Sequence, residues 1–510
     1  MTEKKIGIID LGSNSIRLVV FHIEPNGQYK ELYNLKVNAR LATYIDDEGN
    51  LSKEGIEIVV SSLKKFVPIV QFHQVAETKG IATAAIRSAK NRKVVLEAIK
   101  KETNFDFRIL SGQEEAYYGY LAVIHSVYLT EGITIDIGGG STEVTYFKNR
   151  ELVHSHSFPF GALTLKKMFI ANSEPKSSEM KELTAFLRHE FSSQKWLINK
   201  NVPVIGIGGS ARNLMRLHQN KTNYPLFGIH QYEIEPNDIK KMNQWLMGMT
   251  VTERQKLDGL SKDRADIIIP AIEAIYALTE IASAPFFTIS SKGLREGVFF
   301  EEVFSNLNAR SFSHVADETF SKLASDYKIN LKHTSFLLRL AYVFVSECEA
   351  KQFAAFTQEE KEILFKSTKL VQFGEFIDQQ SSSQHTFYIL TNRSLDGISH
   401  KMRLKLACVA SFKSKKALMK YVSSYQSLLT EEDIVSLERL GAILKFLHSL
   451  NTTHRCIISE LKVNKNKDGI MEISLACNSD YTFEEQEANK QKKHLERAFN
   501  CQVELSFTLV

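Results

Sequence analysis

The residues best suited to chemistry occur in two copies of one short pattern. Ile9-Asp-Leu-Gly-Ser-Asn-Ser-Ile-Arg-Leu18 and Ile135-Asp-Ile-Gly-Gly-Gly-Ser-Thr-Glu-Val144 align without a gap, pairing Asp10 with Asp136, Gly12 with Gly138 and Ser15 with Ser141. A turn rich in Gly and Ser can aim successive backbone N–H groups into one concavity, which suits phosphate oxygens. Ser13, Ser15, Ser141 and Thr142 would add hydroxyl donors. Asp10 and Asp136 would sit at the rim, where carboxylates hold Mg²⁺ directly or through water. Either loop alone reads equally as an ordinary hairpin; the gapless duplication with its acid retained points to a two-sided phosphate clamp.

Three further stretches bear on the reaction. In Leu110-Ser-Gly-Gln-Glu-Glu-Ala, Ser111 is a helix N-cap and Glu114 completes a capping box, which leaves Glu115 as the candidate general base. Adjacent helical residues point about 100° apart, so only one of the two glutamates can face a cleft. Arg87 is a candidate bidentate phosphate ligand. Arg295 and Glu296 read either as site residues or as a structural ion pair. Gly206-Ile-Gly-Gly-Ser-Ala211 matches a dinucleotide-binding pattern. It lies deep in the chain and has no acid at the expected distance, so a third glycine turn, with Gly208, Gly209 and Ser210 facing an anion, is the better reading.

The elements that must position these residues follow from the apolar runs. Ile6–Ile9, Leu18–Phe21, Ile133–Ile135 and Val144–Phe147 flank the two polar loops as strands. A strand at 202–207 leads into a helix from about Ala211, and another helix follows Ser88. A repeat so widely spaced predicts two similar half-domains, 1–125 and 126–304. An irregular linker is expected at 303–316. Beyond it come a mainly helical region at 312–450 and a small α+β region at 451–510.

Composition bounds the class. The chain has 510 residues, 43% hydrophobic and 24% charged, with a formal charge of +5, an ordinary globular balance that gives no reason to expect a membrane or nucleic-acid partner. The N-terminus has the look of neither a signal peptide nor a membrane span, and five scattered cysteines fit a reducing cytoplasm. Arg393, Lys401, Arg403, Lys405, Lys413, Lys415, Lys416 and Lys420 read either as a solvated helical face or as a basic track for a long polyanion.

Together these motifs resemble the exopolyphosphatase/guanosine pentaphosphate phosphatase family, in the acetate-and-sugar-kinase/heat-shock-70/actin superfamily. The matching stretches are Asp10-Leu-Gly-Ser-Asn-Ser, Ala82-Thr-Ala-Ala-Ile-Arg-Ser-Ala-Lys-Asn, Ser111-Gly-Gln-Glu-Glu-Ala, Asp136-Ile-Gly-Gly-Gly-Ser-Thr-Glu, Gly206-Ile-Gly-Gly-Ser and Gly293-Leu-Arg-Glu-Gly-Val, in the family's order. The resemblance implies an α/β fold of two ribonuclease-H-like, actin-type half-domains around the site. It also implies Mg²⁺-dependent removal of a terminal phosphate by water, from inorganic polyphosphate or from guanosine pentaphosphate, and a homodimer. It makes Glu115 the base, places Asp136 with the metal or the water, and gives phosphate to Ser13, Asn14, Arg87, Gly138, Gly139 and Ser141. Glu143 matches too and joins Asp10 and Asp136 as an expected metal ligand.

Longer relatives carry a helical module similar to HD-type phosphohydrolases. Here the metal-binding pair of that module aligns with Val371-Gln372, leaving only His385 nearby, so no second metal-dependent site is expected there. Two other classes remain as alternatives: an actin-like kinase and a non-catalytic polyphosphate or alarmone sensor. The 82–91 and 111–116 stretches belong to the phosphatase branch, and retention of Asp10, Glu115 and Asp136 points away from a sensor.

Overall fold

The structure is a computed structural model that describes residues 3–25, 28–172, 174–307 and 315–510. The chain forms two compact units, one of residues 1–224 and 229–315, the other of 225–228 and 316–510.

In the first unit, β1 (Lys4–Leu11), β2 (Ser15–Ile23), β3 (Tyr29–Asn38), β4 (Glu77–Ala82) and β5 (Phe107–Ile109) form a sheet ordered β3-β2-β1-β4-β5. A second sheet comprises β6 (Gly132–Ile137), β7 (Thr142–Lys148), β8 (Glu151–Phe158), β9 (Val204–Ile207), β10 (Glu233–Ile234) and β11 (Phe287–Ile289). Its order is β10-β11-β9-β6-β7-β8. Read from the hairpin edge, β8-β7-β6-β9-β11 repeats β3-β2-β1-β4-β5, with the hairpins antiparallel and the later strands parallel. The duplication seen in ten residues therefore extends to whole sheets. β1 and β6 are buried almost throughout, as expected for apolar strands covered on both faces.

The two halves exchange helices. The helix Gly112–Ile124 is joined to the first sheet by chain order, yet it packs on β6, β7 and β8 of the second. The helix Leu294–Leu307 closes the second half but packs against β1 and against Gly112–Ile124. One buried cluster accordingly mixes Ile6, Ile8 and Phe21 with Leu121, Ile207 and Phe299, and the Phe21 and Phe299 rings stack 4.0 Å apart. The division at 125/126 expected from sequence order thus does not separate two independent cores. The helices cross at Gly297, where a Cβ would overlap the backbone carbonyl of Tyr118. The helix Leu294–Leu307 also runs through the first part of the expected 303–316 linker, and the next helix, Val315–Asp326, takes its end; 308–314 lie outside the described residues.

The second unit is helical from Val315 to Ser449 and ends in a sheet of β12 (Ile458–Lys465), β13 (Met471–Cys477) and β14 (Val503–Leu509), with the helix Thr482–Phe499 between the last two strands. That helix packs on Glu431–Ser449, so the expected 312–450 and 451–510 regions share one compact unit. The basic stretch of this unit is not a continuous track. Arg393 pairs with Asp326, Lys401 with Asp433, Lys405 with Glu359 and Asp433, and Lys415 with Glu438, while Arg403 is buried on backbone carbonyls. Acids from neighbouring helices pair with four of these eight cations, and Lys413, Lys416 and Lys420 remain exposed. Among the described residues no helix is long and apolar enough to cross a membrane, and all five cysteines are free thiols.

The helix crossing supplies a test of this architecture. Gly297→Ala must force two packed helices apart and is expected to lower stability by about 1–3 kcal/mol. Urea denaturation of variant and parent would measure it, and equal midpoints would contradict the close crossing.

Candidate active site

The site is built from ends of strands. In each half the chain leaves its central strand at an aspartate and turns back through the same hydrogen bond: Gly12 N–H donates to the Ser15 carbonyl at 3.1 Å, and Gly138 N–H to that of Ser141 at 3.0 Å. The register then sets Arg17 opposite Asp10 and Glu143 opposite Asp136. The same backbone device thus presents a cation in one copy and an anion in the other. Behind the second loop, the helix Ala162–Phe169 begins. Its Ala162 and Leu163 N–H groups donate to the Gly138 and Gly139 carbonyls at 2.9 and 3.0 Å. Those carbonyls are drawn to the helix N-terminus, so the amides of Gly139 and Gly140 point the opposite way.

Between the loops lies a cavity of about 340 Å³. Four carboxylates line it (Asp10, Glu115, Asp136 and Glu143), as do six cationic side chains: Arg17, Lys36, Arg212, Arg216, Arg264 and Arg295. Ser13, Asn14, Ser15, Gly138, Gly139, Ser141, Gly208 and Gly209 line it as expected from the sequence.

Glu115 reaches the cavity because of its helix start. Ser111 accepts from Glu114 N–H at 3.2 Å and Glu114 Oε2 accepts from Ser111 N–H at 2.8 Å, which uses Glu114 as the cap. Gly112 lets this turn approach Ser157 of β8, since a Cβ there would overlap the Ser157 side chain. Burial pushes the Glu115 carboxyl up to about 7; Arg87 opposes this, and Asp10 and Asp136 add to it. Burial likewise raises Asp10, against Arg295, and Asp136, against Arg212 and Arg264. Glu143 is raised well above its ordinary value by burial and by the nearby Glu115 and Asp136 charges, although Ser157 Oγ donates to it at 2.9 Å.

Three expected residues are engaged differently. Arg87 lies outside the cavity lining; its guanidinium pairs with Glu115 and donates to the Leu110 carbonyl at 2.8 Å. Its contact is with the candidate base, which it orients. Ser210 is also behind the lining, where it accepts from Arg264 at 3.1 Å. Asn14 lines the cavity, but its amide donates to Asp263 across the cleft at 2.9 Å. Of the ambiguous pair, Arg295 is a site residue that donates to Asp10 at 2.8 Å, whereas Glu296 accepts from Gly293 N–H at 2.7 Å.

The helix after the third glycine turn starts at Gly208, three residues earlier than expected. Gly208 has φ +79°, and a Cβ on it would overlap the Asp136 carboxylate; one on Gly209 would overlap the Arg264 guanidinium. The turn therefore serves close approach of charged groups and not a dinucleotide, and it sits on the third strand of an established sheet.

The arginines are what sequence reasoning missed. Arg17 carried a signal, since it occupies the position equivalent to Glu143 in the repeat. Arg212 lies one helical turn after Gly208, on the face of the glycine turn. Arg264, at the end of the short 3₁₀ helix Lys262–Arg264, had no local signal.

The donor set fits a hard divalent cation. All the acidic groups offer oxygen, and no group among the described residues hydrogen-bonds to the Asp136 carboxylate. Clustered carboxylates raised by burial are also the setting that a bound cation stabilises.

Fold and site together define a phosphate-handling hydrolase on a duplicated, actin-like core. The profile described as the Ppx/GppA phosphatase family matches residues 19–306, and the one described as Ppx/GppA phosphatase, domain III, matches 315–496. This chain belongs to the Ppx/GppA phosphatase family, and it is a hydrolase acting on phosphoanhydride bonds. It is similar to Exopolyphosphatase 1 of Mycobacterium tuberculosis, 27% identical over 304 residues that cover 59% of this chain and 88% of the relative. The guanosine-5'-triphosphate,3'-diphosphate pyrophosphatase of Aliivibrio fischeri is 22% identical over 462 residues, 88% of this chain and 86% of the relative. The crystal structure of the Aquifex aeolicus Ppx/GppA family member superposes with a TM-score of 0.54 at 29% identity, covering 60% of this chain and 99% of that one.

Arg212→Ala and Arg264→Ala each remove a charged donor from the cavity. Each is expected to weaken pyrophosphate binding about tenfold to a hundredfold, the range for a hydrogen bond to a charged group of about 1.5–3 kcal/mol. Calorimetric titration checks this, and unchanged affinity in both variants would exclude them from the anion site.

Proposed function

We propose that the chain is an exopolyphosphatase that releases the terminal phosphate of inorganic polyphosphate, with Glu115 as general base. The observation that carries this reading is the cavity lining: charged and small polar groups dominate it, Ala84, Ile207 and Leu294 are its few apolar members, and no aromatic side chain is among the described residues that line it. Such a wall suits a run of phosphates better than a purine, which favours an aromatic or apolar platform.

Arg17, Arg212 and Arg264 would hold successive phosphate oxygens, with the amides of the two glycine loops beside them. Arg87 holds the Glu115 carboxylate toward the cavity. Glu115 takes a proton from a water aligned with the terminal phosphorus; the water oxygen bonds to phosphorus as the bridging P–O bond breaks, and the shortened chain leaves with that bond's electrons. Asp136 and Glu143, with Asp10 in an outer role, would hold Mg²⁺, which would supply positive charge to the transferring phosphoryl group. Asp10 is placed in the outer role because Arg295 already holds its carboxylate. A cytoplasmic homodimer accompanies this reading by resemblance to the family.

A second reading, guanosine pentaphosphate as substrate, is favoured by one observation. Similarity to the guanosine-named relative extends over 88% of this chain, against 59% for the exopolyphosphatase-named one. In that case the base would lie outside the cavity and only its phosphates inside.

Phosphate release from long-chain polyphosphate and from guanosine pentaphosphate, measured side by side with Mg²⁺ and with chelator, separates the two. Metal-dependent release chiefly from polyphosphate is expected; the reverse preference would replace the substrate, and release from neither would overturn both readings. In the same assay Glu115→Gln is expected to lower turnover by about 10²-fold or more with substrate binding retained. Near-parental turnover would remove Glu115 from its role.

A further inference from the structure

The second unit holds a cluster of chemistry-bearing side chains that phosphate hydrolysis does not use. His333 lies in the first turn of the helix Leu331–Ala350, His448 in the last turn of Glu431–Ser449, and His454 in the turn that follows, at φ 58°. One ring nitrogen from each lies within 4.8 Å of the other two. The His333 ring centroid is 4.1 Å from that of His454 and 5.1 Å from that of His448.

His333 is fully buried, and its Nε2 has no hydrogen-bond partner. A buried polar nitrogen without a partner is costly unless a ligand satisfies it. Burial, aided by the neighbouring rings, pushes His333 down to about 3 and His448 to about 4, so both are neutral.

We propose that His333, His448 and His454 form a transition-metal site that takes Zn²⁺ or a similar borderline divalent ion, with a fourth position open to water. Three imidazoles are the donor set such ions prefer, whereas Mg²⁺ prefers oxygen. A tetrahedral ion with N ligands at about 2.0–2.1 Å brings those nitrogens to about 3.4 Å from one another, a modest closing of the present cluster.

The surrounding amides supply the outer layer. Asn451 Nδ2 lies 2.8 Å from His333 Nδ1, and Gln372 Nε2 lies 3.1 Å from His454 Nε2. A ligating histidine carries its proton on the nitrogen away from the metal and donates it outward. Loading therefore requires both amides to turn over and present oxygen. For Asn451 this breaks its bond from the N–H of Cys456, and for Gln372 its 3.4 Å bond to Glu375. The ligands thus come from one distant position, His333, and from the neighbouring pair His448 and His454, and converge beside Gln372, not from Val371-Gln372 or His385.

The test uses the full chain, stripped by chelator and titrated with Co²⁺ in excess Mg²⁺, which keeps the oxygen-lined cleft occupied. Expected are one equivalent of Co²⁺ per chain, the intense visible bands of tetrahedral nitrogen coordination, and displacement by Zn²⁺. His448→Asn should weaken binding about 100-fold or more, beyond the usual effect of losing an outer-layer partner, while His385→Asn leaves it unchanged. If His448→Asn does not fold, His454→Asn, in a half-buried turn, reads the same quantity. Wild-type protein without a stoichiometric tetrahedral spectrum, or a folded His448→Asn or His454→Asn variant with parental affinity, would overturn the proposal.

Discussion

Everything at the active site depends on placing four carboxylates in one partly enclosed cavity without unfolding the protein. Carboxylates so placed repel one another and lose hydration, which is why Asp10, Glu115, Asp136 and Glu143 are all raised. The protein offsets this with cations from every side: Arg295 on Asp10, Arg87 on Glu115, and Arg212 and Arg264 facing Asp136. The cations that line the cavity outnumber its acids, a balance that favours an anionic ligand. The glycines follow from the same constraint, since at Gly208 and Gly209 a side chain would occupy the space of Asp136 and Arg264.

Rigid backbone underneath holds this charge pattern in place. Asp10 and Asp136 close central strands covered on both faces, and the two hairpins repeat one register, so their acids and opposite-strand partners are placed by the sheets themselves. The exchanged helices tie the sheets together. The helix that starts with the Glu115 turn packs on the second sheet, and the helix that brings Arg295 to Asp10 packs on the first. Each wall of the cavity therefore carries groups delivered from the other half's chain segment, and the close crossing at Gly297 is what allows the exchange.

The second unit illustrates the same rule at lower charge. Its basic stretch reads as a surface for polyanions only while the chain is considered linearly; in three dimensions Asp326, Glu359, Asp433 and Glu438 meet it. The histidines behave in the opposite way. His448 and His454 keep the H-x5-H spacing of a ligand pair, His333 stands far from them in sequence, and helix ends bring all three into one group.

The local machinery is written in short stretches of residues. Strand–turn–strand repeats, the aspartate closing each central strand, and the capping box that leaves Glu115 rather than Glu114 for the cavity were all legible, because short apolar runs bounded by turn residues and hydrogen bonds within four residues settle them. Family resemblance added the actin-type character of the two halves. Which cations meet which acids depends on long-range packing. Arg295 pairs with a partner 285 positions away, Arg264 reaches the cavity from a short 3₁₀ helix, and Arg87, expected at a phosphate, is a partner of Glu115. Long, flexible charged side chains have no strong local preference, so their partners are chosen by where packing of the apolar helices and sheets brings opposite charges together.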